Sequence, residues 1–214
     1  MKRKNRKKLY VAISMLSAFL LWTLALGWVD IQQIGPRESA VGFATINGFV
    51  HRITGTNMTL YTITDWLGLV PFGFVLGFGV LGLVQWIKRK HFLEVDRDIL
   101  ALGGFYLAVM AVYVFFEMVT VNRRPVLING YLETSYPSST TMLVMCVIPT
   151  AIMQLRSRMH NGFWKHCVQV LLLGFLIFMV LGRILSGVHW ITDIIGGALV
   201  STGLVMLYRH FVTQ

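Results

Sequence analysis

At 214 residues, with 56% hydrophobic side chains and a mean hydropathy of +0.67, the chain reads as one polytopic membrane domain over 1–214, not as a soluble globule. A formal charge of +10 invites a nucleic-acid reading, but the basic residues lie between apolar spans, where they orient a membrane protein, so no nucleic-acid partner is expected. Cys146 and Cys167 fall inside apolar runs and are read as buried thiols, neither a disulfide nor a metal pair.

The run Met1–Lys8 carries Lys2, Arg3, Lys4, Arg6, Lys7 and Lys8, which should hold this end on the cytoplasmic side. A first span over Leu9–Trp28 is long enough to cross about 30 Å of hydrocarbon. It is too long for a signal peptide, lacks a small-residue cleavage site, and is expected to stay in the membrane. Asp30–Thr64 is mixed in character. Within it, Ala40–Ile53 is expected as an amphipathic helix in the outer interface, ending on His51 and Arg52.

Trp66–Ile87 is the second span, interrupted near Pro71. Its Gly73, Gly77, Gly79 and Gly82 suggest close helix packing first and a ligand groove second. Lys88, Arg89 and Lys90 return the chain to the cytoplasm. The third span is Ile99–Phe116, and the outer loop Glu117–Ser139 leads to a shorter fourth at Thr140–Leu155. Arg156, Arg158 and Lys165 mark a cytoplasmic loop before the fifth span, His166–Leu181, and the sixth, Trp190–Tyr208. The expected fold is therefore an all-α integral-membrane bundle of six transmembrane helices with both termini cytoplasmic. Of 19 Lys and Arg residues, only Arg37, Arg52, Arg123, Arg124 and Arg183 then face outside. That asymmetry supports the layout.

Polar chemistry concentrates in two places on the outer side. The stretch from Gly182 to Gly197 holds Arg183, His189 and Asp193 in otherwise apolar sequence. A His and an Asp four apart would share one helix face, where the carboxylate can fix the imidazole tautomer and leave the other ring nitrogen nucleophilic. Arg183, brought round by a turn at Gly187, offers a planar charged fork suited to phosphate. Mutual satisfaction of interfacial residues is the plainer reading, yet ionisable groups at membrane depth are costly and mark function. The second place is the loop with Asn122-Arg123-Arg124-Pro125 and then Tyr136-Pro137-Ser138-Ser139-Thr140-Thr141, where hydroxyl residues open a helix. Such a helix start can cap itself or bind an anion. Two arginines, a helix N-terminus and an oriented His on one membrane face together suggest a held phosphate.

These motifs resemble the type-2 phosphatidic-acid phosphatase superfamily of integral-membrane lipid phosphatases, over roughly Phe116 to Gly197. The family's S-R-x5-H-x3-D motif is present as Gly182-Arg183-x5-His189-x3-Asp193. Its K-x6-R-P survives as Arg124-Pro125, with Glu117 in the place of Lys. Its P-S-G-H survives as Pro137-Ser138, with Ser139 for Gly and Thr140 for His. The resemblance implies His189 as the phosphorylated nucleophile, Asp193 as its orienting partner, and Arg124, Arg183 and Ser138 as phosphate ligands, with Ser139 and Thr140 beside them and Glu117 and Arg123 of open role. It implies no metal and no cofactor.

Thr140 cannot supply the proton that the family's His gives the leaving oxygen, and Glu117 reverses the sign of the family's Lys. A chain without that acid copes best with a good leaving group. Phosphate departs with a relevant pKa near 6, against about 15.7 for water-like oxygen. The expected function is thus hydrolysis of a lipid (di)phosphate at the outer leaflet of the cell membrane, with an undecaprenyl-diphosphate-like lipid favoured over phosphatidic acid or phosphatidylglycerol phosphate. The expected partners are that phospholipid or polyprenyl phosphate and the bilayer. The alternative is a degenerate lipid-phosphate binder or transporter; retention of His189 with Asp193 speaks against it, because binding needs no oriented nucleophile.

Overall fold

The computed structural model describes residues 2–212; Met1 of the basic run, Thr213 and Gln214 lie outside it. The described residues form eight α-helices: α1 Lys2–Leu26, α2 Ala44–Thr54, α3 Met58–Leu67, α4 Val70–Arg89, α5 Arg97–Met118, α6 Ser139–Arg158, α7 Gly162–Leu185 and α8 Ile191–Val212. Six stretches are long and apolar enough to cross a membrane, α3 and α4 counting together as Met58–Arg89. The six-span all-α reading holds.

The second span differs most from its expected bounds. It begins at Met58, not Trp66, because the hydroxyls of Thr62 and Thr64 bond back to the carbonyls of Met58 and Leu60 and so cost little inside a helix. The break falls at Gly68–Leu69, and Pro71 opens α4, where its missing N–H would have had no partner anyway. The amphipathic segment is a helix only from Ala44, after a left-handed Phe43 at φ 51°. It is pinned to the start of α8 by the fully buried Asn47 amide, which donates to the Gly42 carbonyl and, at 3.0 Å, to Thr192 Oγ1.

The centre of the bundle is α8. A Cβ at Gly203 would come 2.7 Å from Leu16 of α1, and one at Gly196 would come 2.4 Å from the Tyr136 ring, so both glycines permit close approach. Opposite the site, the ends of α5, α6 and α8 are latched: Gln154 donates to the Tyr208 hydroxyl at 2.6 Å and Arg158 pairs with Asp98 at 2.9 Å. Cys146 is buried and Cys167 half-buried, both free.

Of the α4 glycines only Gly82 serves packing, where a Cβ would come 3.1 Å from Ile99 of α5; the other three depart from the first expectation. A Cβ at Gly73, Gly77 or Gly79, or at Gly103 or Gly104 of α5, would meet nothing within 4 Å. Several of them line an apolar cavity of about 610 Å³. It shares Val75, Tyr106 and Met110 with a second cavity of about 350 Å³ that opens at Asp65, Ser139 and Thr140. A ligand groove is the better description.

Candidate active site

Helix α7 ends at Leu185, and the chain turns through Gly187 at φ 64°, where a Cβ would sit 1.7 Å from the Gly55 carbonyl oxygen. Only glycine fits there. His189 follows in the connection, so it does not share a helix face with Asp193, which lies in the first turn of α8. The Asp193 carboxylate instead accepts the Trp190 backbone N–H at 2.9 Å, closing the helix start, and stands 3.7 Å from His189 Nδ1. The nearer partner of Nδ1 is the Ser135 carbonyl, at 3.1 Å. A carbonyl only accepts, so Nδ1 carries the proton and Nε2 keeps its lone pair. Ser135 therefore performs the tautomer-fixing task expected of Asp193. Burial first, and then the positive charges of Arg124 and Arg183, hold the His189 pKa well below its ordinary range, keeping the imidazole neutral and nucleophilic.

Arg124 reaches the same point from the outer loop. Arg124 N–H donates to the Glu133 carbonyl and Ser135 N–H to that of Asn122, making a short extended arm. Alternate side chains of extended backbone point to opposite sides. Arg124 thus turns inward, its Nη1 3.3 Å from His189 Nε2 and its Nε ion-paired with Glu133 at 3.0 Å. Arg123 turns outward and donates to the Leu132 carbonyl at 3.1 Å. Its side chain, of open role in the sequence, points away from His189, and its backbone carbonyl accepts Trp190 Nε1–H.

Arg183 is 2% exposed. It pairs with Asp65 of α3 at 3.1 Å, approaches Thr64 Oγ1 at 3.4 Å, and donates to Thr140 Oγ1. The Tyr61 ring lies beneath both guanidinium groups, 5.0 Å from that of Arg183 and 5.9 Å from that of Arg124. One aromatic face thus gathers the two cations.

Of the hydroxyl run, Ser138 is fully buried and acts as the cap of α6: its Oγ accepts from Thr141, and its backbone N–H donates to the Asp193 carbonyl. It faces its own helix rather than open space. Ser139 borders both the lateral cavity and a narrow shaft of about 20 Å³ that reaches His189 past Tyr113 and Glu117. Glu117, exposed on α5, accepts from Thr134 Oγ1 at 3.5 Å on the wall of that shaft. No group of three or more His, Cys, Asp or Glu able to hold a metal occurs among the described residues.

Tyr61, Thr64, Asp65, Glu133 and Ser135 were not singled out from sequence. Asp65 carried a usable signal. It is the sole acidic residue between Met58 and Ile87, and a carboxylate inside a span is functional by default. Starting the span at Trp66 hid it. Ser135 acts through its backbone, which no side-chain motif can announce.

The family model described as PAP2 superfamily matches residues 99–214. Among solved structures, the chain is similar to one titled as the first transmembrane PAP2 type phosphatidylglycerolphosphate phosphatase from Bacillus subtilis, with a TM-score of 0.61, 20% identity, and coverage of 95% of this chain and 96% of that one. No curated protein sequence matches the chain.

Proposed function

The chain belongs to the PAP2 superfamily, and from that premise we propose that it is a membrane lipid phosphatase acting on a lipid diphosphate through a phosphohistidine at His189. The observation that carries this reading is the pairing of a neutral His189, its Nε2 facing Arg124 at 3.3 Å, with a second buried arginine bound to Asp65 and Thr140, which line an apolar cavity. In this reading Nε2 attacks the terminal phosphorus while Arg124 shifts from the ring nitrogen to the phosphate oxygens. Arg183 balances charge on the transferring group, and Asp193 closes the turn that carries His189. The hydrocarbon tail lies in the groove between α4 and α5. Over the described residues the chain works as one unit, because α1, α2 and α3 all supply contacts to this end of the bundle.

Thr140 Oγ1 accepts from Arg183, and an aliphatic hydroxyl is far too weak an acid to protonate a leaving group, which favours polyprenyl diphosphates over monoesters. The similar solved structure is titled a phosphatidylglycerolphosphate phosphatase, so phosphatidylglycerol phosphate is the apt competitor. A pure binder would profit from free cationic charge, whereas both arginines here hold carboxylates. The site lies at the bundle end opposite Lys88, Arg89, Arg158 and Arg209, and that separation supports a reading in which it faces the outer leaflet of the cell membrane with both termini inside.

Phosphate release by the purified protein tests this, with undecaprenyl diphosphate beside phosphatidylglycerol phosphate. We expect faster turnover of the diphosphate and loss of at least ~10³-fold in His189→Ala. Equal turnover by His189→Ala would remove the catalytic assignment.

A further inference from the structure

Asp65 has no counterpart in the expected motifs and yet sits in the machinery. Its Oδ1 is fixed 3.1 Å from Arg183 Nη2, while Oδ2 has no hydrogen-bond partner among the described residues. The side chain is 56% exposed and lines the apolar cavity together with Ser139 and Thr140. Arg183 and Arg124 share the Tyr61 face, and His189 lies on the Arg124 side of it. A phosphoryl group held between the arginines therefore has His189 on one side and Asp65 on the other. In-line displacement places the nucleophile and the departing or incoming oxygen on opposite sides of phosphorus.

We propose, resting on the phosphatase reading above, that Asp65 is a second catalytic residue, the general base that activates water to hydrolyse the phosphohistidine. In the first step, Nε2 bonds to the terminal phosphorus, the phosphorus–oxygen bond to the lipid breaks, and polyprenyl phosphate leaves with that electron pair. In the second, a water oxygen bonds to phosphorus from the Asp65 side. The nitrogen–phosphorus bond breaks and returns its electrons to Nε2, and the water proton passes to Asp65 Oδ2. Inorganic phosphate leaves, and Asp65 gives the proton to solvent. Asp65 answers the absence of any titratable group at Thr140: a good leaving group lets the first step run without an acid, but the second step still needs a base.

The competing role for Asp65 is charge balance alone, since a buried arginine needs a partner. Rapid-quench experiments with terminally ³²P-labelled farnesyl diphosphate separate the two. With a base removed, Asp65→Asn should release about one equivalent of lipid product in a fast burst and hold the label as acid-labile, base-stable phosphohistidine. Steady turnover should then fall by roughly 10²-fold or more, and Asp65→Glu should restore part of it. Equal slowing of burst and steady state, or label retention in Glu117→Gln in place of Asp65→Asn, would overturn the role of Asp65 while leaving the phosphatase reading intact. Label on neither variant nor wild type, with release unaffected in His189→Ala, would overturn both.

Discussion

The two sides of this bundle are built on opposite principles. Half or more of the apolar windows of α6 and α8 is buried, 50% and 56%, against 6% for the α3–α4 span and 22% for α5. Glycines differ in the same way. Those of α8 stand within contact distance of Leu16, Tyr136, Ser138 and Thr141, whereas most of those on α4 and α5 face open space. One side is a dense post that fixes reacting groups; the other is a loose wall whose gaps suit a lipid tail. The phosphatase proposed above needs both, since a rigid site must still admit a lipid from the bilayer. The ends meet at Asp65 and Thr140, which belong to both.

The largest expected effect of breaking the dense side comes at its turn. Gly187→Ala forces a left-handed alanine, at roughly 1–2 kcal/mol, and drives its Cβ into the Gly55 carbonyl. Phosphatase activity should vanish, and thermal unfolding in detergent should shift down by more than for Gly203→Ala, which overpacks against Leu16 at about 1–3 kcal/mol. Wild-type activity in Gly187→Ala would show that the approach of Arg183 to His189 does not depend on this turn.

The dense side was the more legible in sequence, and for a physical reason. Arg183, His189 and Asp193 are polar residues at fixed spacing in apolar surroundings, so composition alone isolates them. Arg123 and Arg124 stand side by side in the loop, and sequence cannot say which of two adjacent residues faces His189 until the extended backbone sends them to opposite sides. The helical assumption for His189 and Asp193 fails after Gly187, whose positive φ turns the chain and whose missing side chain leaves room for the distant Gly55. On the loose side the second of the two glycine readings, a groove, fits Gly73, Gly77 and Gly79, and close packing fits Gly82. Glycine at helical spacing signals a missing side chain, and sequence cannot say whether a neighbouring helix or a cavity takes that space.

Acid should also single out the dense side, by a smaller amount. An unfolded chain takes up a proton at His189 near 6.5, the ordinary value, whereas in the folded protein burial and the two arginines hold the pKa well below it. Below that pH the unfolded state binds more protons. The His189 contribution to stability is therefore complete above about pH 6.5 and lost as pH falls, at up to about 1.4 kcal/mol per pH unit. Comparing thermal unfolding of wild type and His189→Gln at pH 7.5 and 5.0 isolates this group. The variant should lose less stability on acidification; an equal loss would mean that the folded imidazole protonates freely.

The smallest effect on the fold, and the sharpest on the comparison, is expected at Gly79. A side chain there meets no atom within 4 Å, so Gly79→Leu should leave unfolding within about 0.5 kcal/mol of wild type. It should, however, fill part of the cavity bounded by Gly79, Gly82, Gly103 and Gly104. Displacing about two methylenes of a bound tail, at about 0.8 kcal/mol each, raises KM roughly tenfold for a long polyprenyl diphosphate. Farnesyl diphosphate, too short to reach far down the groove, should be turned over as before. The kcat for either substrate should not move, because no group near His189 is touched. Equal KM changes for the short and the long substrate would mean that the tail does not follow the α4–α5 groove, and the loose side would then need a different reason for its open glycines.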